Sequence, residues 1–92
     1  MIDLSLGTDA REVVLALATQ RDDHRPYVRT IAADCDLPVE QVRRILFQLG
    51  EHGLATFGPV FDSDDGTPKG STWWLTEAGT AVRDTIEQGK AA

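Results

Sequence analysis

Apolar residues recur along the chain in two rhythms, one of period two and one of helical period, and the switches between them mark the elements. Ile2, Leu4 and Leu6 alternate with polar Asp3 and Ser5, which predicts a short strand with one buried face, ended by Gly7. Thr8 or Asp9 then suits the start of a helix, because a short side-chain oxygen accepts bonds from N–H groups that have no partner within the helix. Asp9 and Glu12 also match the positive end of the helix dipole. Ala10, Val13, Val14 and Leu17 fall at i, i+3, i+4 and i+7 and carry this helix to about residue 20. Leu15 and Ala18 widen the stripe beyond one core face and mark a second packing surface, such as one for a dimer partner.

Residues 21–26 form a polar loop, and Pro26 disfavours helix at the residue before it. A second helix follows over 28–34 with Ile31, Ala32 and Ala33, then a turn at Cys35-Asp36-Leu37. Pro38 fits the first turn of a third helix, where a missing N–H leaves nothing unpaired. The third helix, 39–52, places Val42, Ile45, Leu46 and Leu49 on one face and stops at Gly53, which adopts left-handed geometry without a Cβ penalty. Beyond it Leu54-Ala55-Thr56-Phe57 and Val60-Phe61 predict a strand, 62–70 a polar loop and 71–75 a returning strand. Thr76 suits the cap of a last helix lined by Ala78, Ala81, Val82 and Ile86, and residues 89–92 fray. The chain has no internal repeat and no low-complexity segment.

This order of elements, with Thr30-Ile31-Ala32-Ala33, Leu37-Pro38, Val42-Arg43-Arg44-Ile45-Leu46, Leu49 and His52-Gly53-Leu54, resembles the helix-turn-helix of MarR-like bacterial regulators. Leu75-Thr76-Glu77-Ala78-Gly79 is similar to the Leu-Thr-x-x-Gly signature by which such regulators leave the wing. The resemblance implies one α+β, mainly α, domain over 1–92. Its plan is a winged helix-turn-helix with a three-helix core, a β-hairpin wing, a short N-terminal strand and a C-terminal helix. It also implies a transcriptional regulator that reads double-stranded DNA through the third helix in the major groove, with the wing on phosphates or the minor groove. By position, Val39, Glu40, Gln41, Arg43 and Arg44 become the readers, while Arg29, Thr30 and Lys69 become contacts flanking them. Gln41 matches adenine, Arg43 and Arg44 match guanine or phosphate, and Glu40 matches cytosine.

Composition changes this picture in one respect. The net charge is −6, the wrong sign for a domain that replaces counterions on phosphates. Residues 1–37 hold seven acids against four arginines, 38–53 balance two against two, and 54–92 hold six acids against three bases, so no segment is a basic stripe. The wing departs furthest, since Asp62, Asp64 and Asp65 crowd a tip opposed only by Lys69. Asp62-x-Asp64-Asp65-Gly66 resembles a calcium loop only superficially, since it lacks the later bidentate glutamate at the right spacing, and it reads as a soluble turn. Arg43 and Arg44 also have a plain alternative, pairing with Glu40 or Glu51 on a solvated face.

The remaining chemistry is sparse. Ninety-two residues build one core without a deep catalytic cleft, and neither a Gly-rich phosphate loop nor a nucleophile-base constellation is evident, so the expectation is not an enzyme and no cofactor. Cys35 with the scattered His24 and His52 offers no zinc spacing, so no metal is expected. Cys35 reads as a small core residue whose neighbours Asp34 and Asp36 oppose a thiolate. With neither an apolar run of membrane length nor a leader-like start, the chain reads as cytoplasmic.

Trp73 and Trp74, adjacent on a strand, must face opposite ways, one into the core and the other covering the hairpin with Phe57 or Phe61 or serving an interface. Phe47 lies about 100° around the helix from Leu46, on the side that meets solvent or DNA. Phe47, Trp74, Leu15, Ala18, Val82 and Ile86 therefore form the candidate protein interface, the first and last helices being the expected homodimer surface. With the acidity, Phe47 supports an alternative function: an acidic winged-helix module, of phage or DNA-mimicking type, that docks on nucleic-acid machinery through a protein partner. A ligand-sensing regulator with a pocket between dimer helices is a third option, for which the sequence names no ligand.

Overall fold

The computed structural model describes residues 7–20, 22, 24–61 and 64–91. Six elements follow in order: α1 (Thr8–Ala16), α2 (Val28–Cys35), α3 (Val39–Glu51), β1 (Ala55–Phe61), β2 (Pro68–Leu75) and α4 (Glu77–Ala91). The two strands form an antiparallel hairpin. The expected N-terminal strand at Ile2, Leu4 and Leu6 lies outside the described residues.

α3 is the helix the pattern defines best, and Val42, Ile45, Leu46 and Leu49 are its buried residues. They close on Val13, Val14 and Leu17 from the first segment, Ile31 and Ala32 from α2, and Leu54, Ala55 and Leu75 from the hairpin base. α3 stops as expected: Gly53 takes φ 72°, its N–H donates to the Gly50 carbonyl, and the Leu54 N–H reaches back to Leu49 at 2.9 Å. α2 ends in the same manner, but with Asp36 at φ 55°, a left-handed position that a short polar side chain tolerates. The Leu37 N–H then donates to Ala32 at 3.0 Å, and Pro38 sits just ahead of α3 as its N-cap.

Two expectations about extent are corrected. α1 ends at Ala16, not near residue 20, because Leu17 turns extended and Thr19 bridges Leu75 in parallel. The Leu75 N–H donates to the Ala18 carbonyl at 2.8 Å, so 17–19 lie beside the hairpin, a contact that helical periodicity cannot reveal. The wing is also longer than read, since β2 begins at Pro68 and Val60 pairs with Gly70.

The Leu75-Thr76-Glu77-Ala78-Gly79 segment is explained by packing. The Thr76 hydroxyl donates to the Gly53 carbonyl at 2.7 Å and accepts from the Gly79 N–H at 3.1 Å, so one oxygen caps α4 and ties it to the end of α3. The Leu54 carbonyl accepts from the Thr76 N–H at 3.0 Å and lies so close to Gly79 that a Cβ there would stand 1.9 Å from its oxygen. Alanine in a helix is intrinsically favoured over glycine by about 1 kcal/mol. The clash reverses that sign, and Gly79→Ala should destabilise the domain by about 3 kcal/mol in urea unfolding. An unchanged or raised midpoint would show that this packing is not what the position demands.

Candidate nucleic-acid interface

The α2–turn–α3 unit presents one continuous exposed surface. Arg29 and Thr30 lie exposed in the first turn of α2, and Glu40, Arg43, Arg44, Phe47, Gln48 and Glu51 lie on the outer side of α3. A shallow hollow between the two helices is lined by Arg29, Ala33, Asp36, Pro38 and Val39. Glu40 and Arg43 approach to 3.9 Å with side chains 82% and 58% exposed, a pairing loose enough that solvent and salt screen it. Arg43 therefore gives up little when it leaves this pairing.

Two of the expected readers point elsewhere. Gln41 is half-buried, and its amide donates to the Asp9 carboxylate, fastening α3 to the start of α1 rather than facing outward. Val39 packs partly buried against the core.

Lys69 stands exposed on β2, and its carbonyl accepts a bond from the Tyr27 hydroxyl at 3.0 Å. That bond belongs to a strap across one side of the hairpin. The fully buried Thr72 donates its hydroxyl to the Pro26 carbonyl at 2.7 Å, and the Arg25 guanidinium lies 4.1 Å from the centre of the Trp74 ring. Gly58 leaves room for that ring, since a Cβ there would fall 2.4 Å from its edge. The strap fixes the wing to the α1–α2 connection, and sequence reasoning missed it because its partners are more than forty residues apart.

The opposite side of the hairpin is aromatic. Trp73 and Phe57 are cross-strand partners with ring centroids 5.4 Å apart, and Phe47 meets Trp73 edge-on at 5.6 Å. Gly50 admits the indole against α3, where a Cβ would lie 3.0 Å from it. Phe47 is 64% exposed, Phe57 and Phe61 each 56%. Phe47 is thus exposed, as its place on the helix predicts, while neither tryptophan is fully buried. Phe57 pairs with Trp73, and Trp74 is covered by Arg25. Shared parity of Phe57, Phe61 and Trp73 was the available signal, usable only once the register is known.

At the wing tip Asp65 accepts from the Thr67 N–H at 2.9 Å and from its hydroxyl at 2.7 Å. These bonds hold its carboxyl below the usual aspartate range, keeping it ionised as part of an ordinary turn. Asp64 is exposed, and Asp62 lies outside the described residues.

Of the expected dimer residues, Ala18 is corrected: it is 7% exposed and bound to the hairpin base. Leu15 is half-buried, Val82 and Ile86 pack partly buried on the core, and Ala78 and Ala81 face outward. Among the described residues no cluster of His, Cys, Asp and Glu is arranged to hold a metal ion, and no helix is long and apolar enough to cross a membrane.

Known structures share this geometry. A protein of Ralstonia eutropha described as a candidate DNA-binding protein superposes with a TM-score of 0.66 at 27% identity, covering 89% of this chain and 98% of its own. A MarR family transcription regulator matches with a TM-score of 0.69 at 16% identity, and Lactococcus lactis ZitR with 0.70 at 19%. The chain covers 53% and 55% of those two, so it spans about half their length. The fold is the MarR-like winged helix. No protein-family model matches the sequence, and no curated protein matches it.

Cys35 packs half-buried against the core, and burial pushes its thiol above the ordinary value, with the carboxylates of Glu12, Asp34 and Asp9 adding to the shift. Glu12 and Asp9 from α1 take the part expected of Asp36. The neutral thiol is thus favoured in the folded state, so its contribution to stability is present below the ordinary thiol range and is lost as pH rises through the raised value. Iodoacetamide should label Cys35 more slowly than an unfolded control near pH 8 and accelerate only at higher pH, by mass spectrometry. Labelling as fast as the unfolded control would contradict this environment.

Proposed function

We propose that this domain is a DNA-binding transcriptional regulator that lays α3 in the major groove. The observation that carries this reading is the joint exposure of Arg29, Arg43 and Arg44 on the α2–turn–α3 surface of a MarR-like winged helix. The similar Ralstonia eutropha protein, matched along nearly its whole length, is described as a candidate DNA-binding protein, and two further neighbours are the MarR regulator and ZitR.

Arg43 and Arg44 supply the donors that match guanine or phosphate, Glu40 accepts from cytosine, and Arg29 and Thr30 anchor the backbone beside the groove. Lys69 reaches phosphate from the wing. Arg29, Arg43 and Arg44 share this surface with Asp36, Glu40 and Glu51, so its charge is locally balanced although the chain carries −6 overall, and the excess acid elsewhere restrains nonspecific association. The reading includes a homodimer joined through α1 and α4, where Leu15 and the outward Ala78 and Ala81 lie. Two copies of α3 would then meet successive turns of the duplex, about 34 Å apart.

The acidic tip and the exposed Phe47, Phe57 and Phe61 favour a second reading, an interaction module that binds a protein partner of the nucleic-acid machinery. Fluorescence titration against random duplex pools at low and moderate salt separates the two. The regulator binds duplex, weakens with salt, and in the double variant Arg43→Ala, Arg44→Ala loses affinity together with part of that salt dependence. Absence of binding by the folded wild type at low salt would overturn the regulator and leave the protein module.

A further inference from the structure

Phe47 is the least expected residue on the outer side of α3. An exposed phenylalanine among Glu40, Arg43, Arg44, Gln48 and Glu51 keeps apolar surface in water where any polar residue would serve the helix better. Its ring is not loose: Trp73 meets it edge-on at 5.6 Å, and Trp73 is in turn held by Phe57 and by the close approach that Gly50 permits. A ring so braced loses little further freedom when it touches something, which is the condition for an apolar contact to discriminate.

The rest of the surface says what it touches. Arg43 and Arg44 stand one helical turn earlier on the same side, so their charge complements phosphate and guanine rather than an apolar protein surface. The major-groove edge of DNA carries one apolar group, the C5-methyl of thymine. Resting on the DNA-binding reading above, we infer that Phe47 is a specificity residue that reads a thymine methyl in the major groove. Phe47 lies about 4.5 Å beyond Arg44 along the helix axis, so both side chains reach out from one stretch of the helix.

The test uses the full chain and duplexes selected from a random pool, with each thymine replaced in turn by uracil, which pairs identically but lacks the methyl. Wild type should lose about four-fold in affinity at one position, the value of removing one buried methyl. Phe47→Ala should bind the thymine and uracil duplexes equally, and Phe47→Leu should retain part of the preference, both with unchanged circular dichroism. That pattern isolates the methyl contact from the bracing of Trp73, which uracil does not alter. Arginine-dependent binding that is indifferent to every thymine-to-uracil exchange would overturn the inference and leave the DNA-binding reading standing. Discrimination that persists in Phe47→Ala would overturn it in the same way, whereas no duplex binding at all would overturn both.

Discussion

The Leu54 carbonyl and the Thr76 hydroxyl make the joint on which the geometry of this domain depends. Gly53 and Leu54 end α3, Leu75 and Thr76 end the wing, and Gly79 belongs to α4, yet all meet within a few hydrogen-bond lengths. Leu75 also binds the Ala18 carbonyl, so the segment after α1 is drawn into the same joint. A helix carried on a small core is free to pivot unless its ends are tied. Here the C-terminal end of α3 is fixed by this junction, while Gln41 and Asp9 fasten its N-terminal half to α1. The outer surface of α3 is thereby held at a set angle to the wing.

Much of this was legible in the chain because it rests on local chemistry. The stripe Val42, Ile45, Leu46 and Leu49, the left-handed stop at Gly53 and the cap at Thr76 each follow from spacing or from one side chain's hydrogen-bonding capacity, and each is found as read. What escaped depends on pairing across distance. Leu17 and Ala18 fit a helical stripe as well as they fit the hairpin edge, and only the bond to Leu75 decides between them. Gln41 has the chemistry of an adenine reader, but Asp9 captures it from thirty-two residues away. The strap of Arg25, Pro26 and Tyr27 had no sequence signal, because Tyr27 and Thr72 act there through backbone carbonyls that no motif marks. Of the candidate interface, exposure of Phe47 followed from helix phase and Arg29, Arg43 and Arg44 came by position from the resemblance, whereas the bracing of Phe47 required the strand register.

The electrostatics divide along the same lines. Net charge describes the chain as a whole, while a ligand within a Debye length of about 8 Å responds to the side chains nearest it. Near α3 those are Arg29, Arg43 and Arg44 together with Asp36, Glu40 and Glu51; at the wing tip they are Asp64 and an Asp65 kept ionised by Thr67. The proposed regulator thus combines a helix whose two arginines are balanced by two glutamates with an acidic wing tip, which shifts recognition from general attraction toward base edges.

Backbone amide shifts recorded as a duplex from the selected pool is added test the central claim, that the outer side of α3 is the surface which meets DNA. The account predicts the largest changes at Arg29, Thr30, Glu40, Arg43, Arg44 and Phe47, with residues 17–20 and α4 nearly still. Changes concentrated on α4 or at Asp64 and Asp65, with α3 unmoved, would contradict it.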